Sequence, residues 1–167
     1  MTKILGVDPG LAMTGWALLA RLGSASSPSW IEGGLIRTSA GDPLPLRLHE
    51  IFSGFTRLLC RLEPEAVAIE EIFFLKASRS ILGTAQARGS LLLACAAQGI
   101  PVHEYNPRTV KMALTGNGNA PKSQILKMAK QLLRAPVNLR LDDVADAAAV
   151  AHAHLRAERF RKALVST

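Results

Sequence analysis

The chain reads as an α/β protein on a five-stranded mixed sheet, with three antiparallel strands followed by two parallel ones, flanked by helices. Three observations predict this class. The first 38 residues hold three strand-like stretches joined only by turns. Two later apolar runs, 66–70 and 102–105, are separated by a long helical pattern. A strand, a crossover helix and a second strand place the two strands parallel.

Taken in order, residues 3–8 form a buried strand ending in Asp8-Pro9-Gly10. A turn over 10–15 leads to a strand at 14–22, and the small polar loop 24–29 leads to a third at 30–38, completing an antiparallel meander. Residues 43–63 are helical, because Leu48, Ile51, Phe52, Phe55, Leu58, Leu59 and Leu62 recur at the spacing of one helix face. Pro64 stops that helix, and Ala66-Val67-Ala68-Ile69-Glu70 is a fourth strand. A helix over 80–98 ends at Gly99, and the fifth strand, 102–105, closes at Asn106-Pro107. A short helix at 108–114, the Gly/Asn-rich loop 115–121, a helix at 122–133 and a last one from 142 to about 160 complete the chain.

At 167 residues, 49% of them apolar, the chain is long enough for one domain spanning 1–167, with a short basic C-terminal tail from about 156. No apolar run reaches the roughly 18–20 residues that span a bilayer, and the N-terminus lacks a signal-peptide layout, so no membrane partner and a cytoplasmic location are expected. Cys60 and Cys95 lie in apolar helical stretches without metal or redox spacing and are expected to be buried thiols. The formal charge is +7. Such a surplus of cations favours a polyanionic partner, nucleic acid first.

The acids carry the chemistry. Asp8 sits at the carboxyl end of its strand, where open α/β sheets place ligands. Glu70 and Glu71 end another strand and point to opposite faces, and spacing alone does not choose between them. Asp143 and Asp146 are three apart on one helix face, while Asp142 points about 100° away. Asp142 and Asp143 are also good first-turn residues for a helix dipole, whereas Asp146 stands among alanines that pack a helix close to a sheet. Ionised carboxylates gathered together are costly unless a cation neutralises them. Oxygen-only ligands favour Mg²⁺ or Mn²⁺, and a pair of such ions about 3.5–4 Å apart suits phosphodiester hydrolysis by water.

The motifs Leu5-Gly6-Val7-Asp8-Pro9-Gly10, Thr14-Gly15, Ala68-Ile69-Glu70-Glu71-Ile72-Phe73, Gln86-Ala87-Arg88-Gly89, Val110-Lys111, Lys122-Ser123-Gln124 and Asp143-Val144-Ala145-Asp146-Ala147 occur in that order over nearly the whole chain. This series resembles the RuvC-type Holliday-junction resolvases. The resemblance implies an RNase H-like fold. It also implies a homodimeric endodeoxyribonuclease that nicks two strands of like polarity at a four-way DNA junction, in recombination and repair, beside a RuvA-RuvB-type branch-migration complex. Such an enzyme would be bacterial and nucleoid-associated. The family's four acids fall on Asp8, Glu70, Asp143 and Asp146, which selects Glu70 over Glu71. The resemblance further implies that Lys111 and Lys122 serve cleavage by holding the scissile phosphate, and that Phe73 enters the junction.

Other DNA contacts are suggested by residue type. Phe73 and Phe74 precede Lys76 and Arg79, a pairing of aromatics and cations suited to stacking on bases, at about 1–3 kcal/mol per base. Lys127, Lys130 and Arg134 extend a basic helix able to follow a DNA arm. Arg88 is open to either DNA or an internal carboxylate. His49, His103, His152 and His154 are read as packing or surface residues, and Arg156, Arg159, Arg161 and Lys162 as a solvated basic end. The rival readings are an RNase H-like nuclease acting on RNA or rRNA precursor, a non-catalytic junction-binding module, and, more distantly, an actin-like ATPase lobe. The last lacks a second lobe and a second phosphate loop.

Overall fold

The computed structural model describes residues 1–23, 27–71, 79–136 and 142–165, and only the backbone of 79–80 and 162–165. Strands β1 (Thr2–Asp8), β2 (Met13–Arg21) and β3 (Ser29–Arg37) form the antiparallel meander, followed by α1 (Leu44–Leu62), β4 (Ala66–Glu70), α2 (Arg79–Ala97) and β5 (Val102–Tyr105). Helices α3 (Pro107–Thr115), α4 (Lys122–Leu132) and α5 (Asp142–Val165) follow. The sheet order is β3-β2-β1-β4-β5, with β1 antiparallel to β2 and parallel to β4, and β4 parallel to β5. The expected elements therefore stand within a residue or two. One difference is that α5 continues to Val165, so the basic C-terminal end belongs to the last turns of a helix.

Side chains alternate along the strands and sort into two layers. Leu5, Val7, Val67 and Ile69 face α1 and α2, packing with Ile51, Phe55, Leu59, Leu91 and Ala94. Ile4, Ala66 and Ala68 face the other way, packing with α3, α4 and α5. The α1 stripe Ile51, Phe55, Leu59 and Leu62 is buried at helical spacing. Cys60, one residue off that stripe, is exposed, whereas Cys95 is buried; the expectation of two buried thiols fails for Cys60 because a step of about 100° carries it to the solvent side.

Helix α5 is buried nearly all round from Val144 to Leu155, between the sheet and helices α3 and α4. Its alanines, and glycines in the strands beneath, make that depth possible. A Cβ at Gly6 would overlap the backbone carbonyl of Ala147, and one at Gly15 would overlap that of Asp143. Gly15 lies directly across from Asp8 in the β1–β2 ladder. The glycine of the Thr14-Gly15 motif thus lets the start of α5 settle on the sheet beside Asp8.

Candidate active site

The alternation that builds the core also chooses the acids. Asp8 shares strand parity with Ile4 and Gly6, and Glu70 shares it with Ala66 and Ala68, so both project on the α5 side. Val7 pairs with Ile69 in the parallel ladder, which brings Asp8 and Glu70 together at the carboxyl ends of adjacent strands. Glu71 has the opposite parity, and its backbone N–H donates to the Tyr105 carbonyl at 2.9 Å. From above, α5 supplies Asp143, over Gly15, and Asp146 one turn further on. Asp142 is exposed.

The turn after Asp8 is held locally. Thr14 is fully buried, and its hydroxyl donates to the Gly10 carbonyl at 2.9 Å. Beyond it, Thr38 donates through Oγ1 to the Leu11 carbonyl at 2.6 Å, tying the turn to the end of β3. Asp8 therefore leaves a rigid corner.

Two lysines approach the acids from α3 and α4. Lys122, the first residue of α4, places Nζ 3.7 Å from Asp146 Oδ2, with the lysine 64% exposed and the aspartate 23%. A contact so open to solvent contributes little stability. Its consequence is positional, because it keeps a cation at the lip of the acid cluster. Lys111 lies on α3, and its charge acts on both Glu70 and Asp146. Asn106 caps α3 by accepting from the Arg108 N–H at 2.9 Å, and Gly116 ends it with φ 76°. These caps fix the short helix that carries Lys111.

Burial and mutual repulsion dominate the electrostatics. Asp8 is pushed up to about 8, first by burial, then by Asp146, Glu70 and Asp143, with Lys122 opposing. Glu70 is pushed up to about 7 by burial and by Asp146, with Lys111 and Lys122 opposing. Asp146 is raised by burial and by Asp142 and Asp143, against the two lysines. Two lysines therefore do not offset the clustered negative charge. Among the described residues, no three acidic, histidine or cysteine side chains converge closely enough to hold an ion as they stand. The donor set nonetheless fits a hard divalent cation. It consists of carboxylate oxygens, and added positive charge would relieve the burial and repulsion that keep Asp8 and Glu70 protonated near neutral pH.

The remaining expected residues are distributed as follows. Phe73, Phe74 and Lys76, and the side chain of Arg79, lie outside the described residues. Lys127 is exposed and Lys130 half-buried on α4, three residues apart and so on one face, with exposed Arg134 just beyond the helix. Arg88 pairs with Glu104 of β5 at 2.6 Å, which resolves its open alternatives toward an internal carboxylate. His152 and His154 are buried, His154 Nδ1 lies 2.8 Å from the Tyr105 hydroxyl, and His49 is exposed. Arg156 is not simply solvated, since Nη1 donates to the Ala113 carbonyl at 2.8 Å and joins α5 to α3. Thr14, Gly6 and Gly15 are the residues whose part in the site was not foreseen. Their signal was present as two glycines and a threonine beside large apolar residues in the two strands.

The mixed sheet, with the carboxylates gathered where β1 and β4 meet the start of α5, has the architecture of the RNase H-like class. Within that class the chain belongs to the RuvC family: the family model described as crossover junction endodeoxyribonuclease RuvC matches residues 4–154. It is 43% identical over 158 residues to the crossover junction endodeoxyribonuclease RuvC of Brevibacillus brevis, covering 95% of this chain and 94% of that one. It is 47% identical over 152 residues to the protein of the same name from Moorella thermoacetica, covering 90% and 89%. The structure of Thermus thermophilus RuvC in complex with Holliday junction substrate superposes with a TM-score of 0.88 at 32% identity, covering 96% of this chain and 97% of that one.

Proposed function

We propose that this chain is an endodeoxyribonuclease that resolves four-way DNA junctions by nicking two strands of like polarity in a symmetric manner. The observation that carries the proposal is that Asp8, Glu70, Asp143 and Asp146 lie on one side of the sheet, near enough for the other three to raise the Asp8 carboxyl, in a member of the RuvC family. The all-carboxylate donor set supports a metal-dependent reaction. Here Asp8, Glu70, Asp143 and Asp146 would hold the metal, Mg²⁺ or Mn²⁺, two ions to a site. When bound, such ions lower the pKa of water and neutralise charge on the phosphate and on the leaving oxygen.

The chain's own residues do the rest. Asp8 on a rigid corner and Glu70 beside it form a fixed floor, and α5 sets Asp143 and Asp146 over it. Lys111 and Lys122 place two cations at the lip, where a phosphodiester would meet them, and there stabilise charge as the phosphorus–oxygen bond to the leaving group breaks and the bond to water's oxygen forms. No side-chain nucleophile is needed. Phe73, with Phe74, Lys76 and Arg79, would engage the opened bases of the junction. Lys127 and Lys130 would track the phosphates of one arm.

A symmetric pair of nicks calls for two active sites, and a homodimer supplies them. Helix α2 has a suitable face. Leu82 is 62% exposed and Leu93 61%, at positions i and i+11. Gly89 between them has open space where a side chain would stand. A face of exposed leucines around a glycine lets two helices approach closely. The whole chain would act as one nuclease unit in the bacterial cytoplasm at the nucleoid, beside a RuvA-RuvB-type branch-migration complex; no helix among the described residues is long and apolar enough to cross a membrane.

The test is the Asp146→Asn variant on a four-way junction, a linear duplex and an RNA–DNA hybrid. Junction binding within about threefold of wild type, with nicking lost by a factor on the order of 100 or more, is expected from removal of one metal-binding carboxylate. Loss of binding equal to the loss of nicking would place Asp146 in DNA recognition. Preferential cleavage of the hybrid by the wild type would move the substrate to RNA.

A further inference from the structure

The far half of α5 borders a second feature, a cavity of about 530 Å³ lined among others by Arg21, Leu132, His152, Leu155, Arg159 and Phe160. It is separate from the carboxylates. His152 and Arg159 lie six and thirteen residues beyond Asp146, about 9 and 20 Å along the axis. Arg21 ends β2 opposite Thr2, at the other end of β1 from Asp8.

Two buried polar atoms of the lining have no hydrogen-bond partner among the described residues, Arg21 Nε and His152 Nδ1, on residues only 4% and 7% exposed. The Arg21 fork is otherwise committed: Nη1 donates to the Leu155 carbonyl at 2.6 Å and Nη2 to Glu158 Oε2 at 2.9 Å. Its Nε–H is thus fixed in direction and left over. A buried donor left unmade costs about 1–3 kcal/mol, and such atoms in native structures generally have an explanation. Arg156 and Arg159 add positive charge at the lining, beyond what Glu158 neutralises. His152 stands neutral, because burial and Arg156 oppose its protonation, and its ring contributes a polar atom without charge. Apart from Ser27 and Gly116 the rest of the wall is apolar, with Leu155 fully buried and Leu132 and Phe160 41% and 59% exposed at the edge. A cavity of this size, apolar with a few convergent polar groups, matches small-molecule sites.

We propose that this cavity binds a small organic anion, a carboxylate, sulfonate or phosphate carried on an apolar body the size of one or two rings. The anionic group pairs with Arg159 and lies over the Arg21 guanidinium, while the apolar body lies against Leu132 and Phe160.

The experiment titrates the full chain with 1-anilinonaphthalene-8-sulfonate, followed by fluorescence and calorimetry, beside the neutral N-phenyl-1-naphthylamine. One saturable site per chain is expected, with the neutral compound weaker by about tenfold, the loss of one charge-assisted contact. Arg159→Glu and the cavity-filling Leu132→Trp should each weaken the sulfonate by about tenfold or more, with junction nicking by Leu132→Trp unchanged. Absence of a saturable site would overturn the proposal. So would binding indifferent to both substitutions, or binding abolished instead by Leu82→Glu, which would put the probe on α2.

Discussion

Asp8 offers a direct way to separate what the fold tolerates from what the reaction needs. Its carboxyl is held at about 8 against an ordinary 3.8, chiefly by burial. Below pH 4 it is protonated in both folded and unfolded chains, and above about pH 8 it is ionised in both. Between those limits the folded, metal-free chain binds more protons than the unfolded one, so stability falls as pH rises through the window. Glu70, raised to about 7, adds a term of the same sign. At pH 7 the solution is about three pH units above the unfolded value of Asp8, at about 1.4 kcal/mol each, which sets a ceiling near 4 kcal/mol; water access to the half-buried group brings this to roughly 1–3 kcal/mol. Asp8→Asn removes that cost while keeping the shape. In urea unfolding with a chelator, the variant should be more stable than wild type by roughly 1–3 kcal/mol at pH 7 and nearly equal to it at pH 4. Added Mn²⁺ should stabilise the wild type and leave the variant almost unmoved. A variant no more stable at pH 7, or one equally stabilised at pH 4, would refute the electrostatic cause. The same variant should not nick junctions.

Three further outcomes follow from the geometry. Glu70→Gln should reduce nicking by a factor on the order of 100 or more while Glu71→Gln stays within about threefold, measured as single-turnover junction cleavage; the reverse order would mean that the strand parity has been misassigned. Gly15→Ala places a methyl against the Asp143 carbonyl, so it should destabilise the fold by about 1–3 kcal/mol and cost about a hundredfold in nicking through a displaced Asp143, and full activity in a folded variant would show that α5 has room to spare. Leu82→Glu with Leu93→Glu should turn a dimer into a monomer in sedimentation equilibrium without loss of helix content, and an unchanged dimer would move the interface off α2.

The fold was legible because its signals are local. Each strand of the meander is bounded by a turn, and the α1 stripe repeats at helical spacing, so element types followed directly and boundaries shifted by only a residue or two. The acids stood out as a set in the sequence because burying so many carboxylates has few explanations. The choice between Glu70 and Glu71 required the family resemblance at first, yet the small Ala66 and Ala68 against the large Val67 and Ile69 carry the same answer, since the close-packed α5 side takes the small residues. Long-range partners were not legible. Nothing near Arg88 announces Glu104, and nothing near Arg156 announces the Ala113 carbonyl, because these pairs form only once the sheet has brought α2 to β5 and α5 to α3. Cys60 was misjudged for a simpler reason: an apolar helix stretch is not an apolar helix face.

The most direct measurement is strand-resolved cleavage of a mobile four-way DNA junction, with a separate label on each strand, in Mg²⁺, in Mn²⁺ and in chelator. Paired nicks at symmetric positions on two strands of like polarity, dependent on the metal and absent from linear duplex of the same sequence, are the expected result. Single unpaired nicks, cleavage that persists in chelator, or equal cleavage of the linear duplex would contradict a dimeric, carboxylate-dependent junction resolvase.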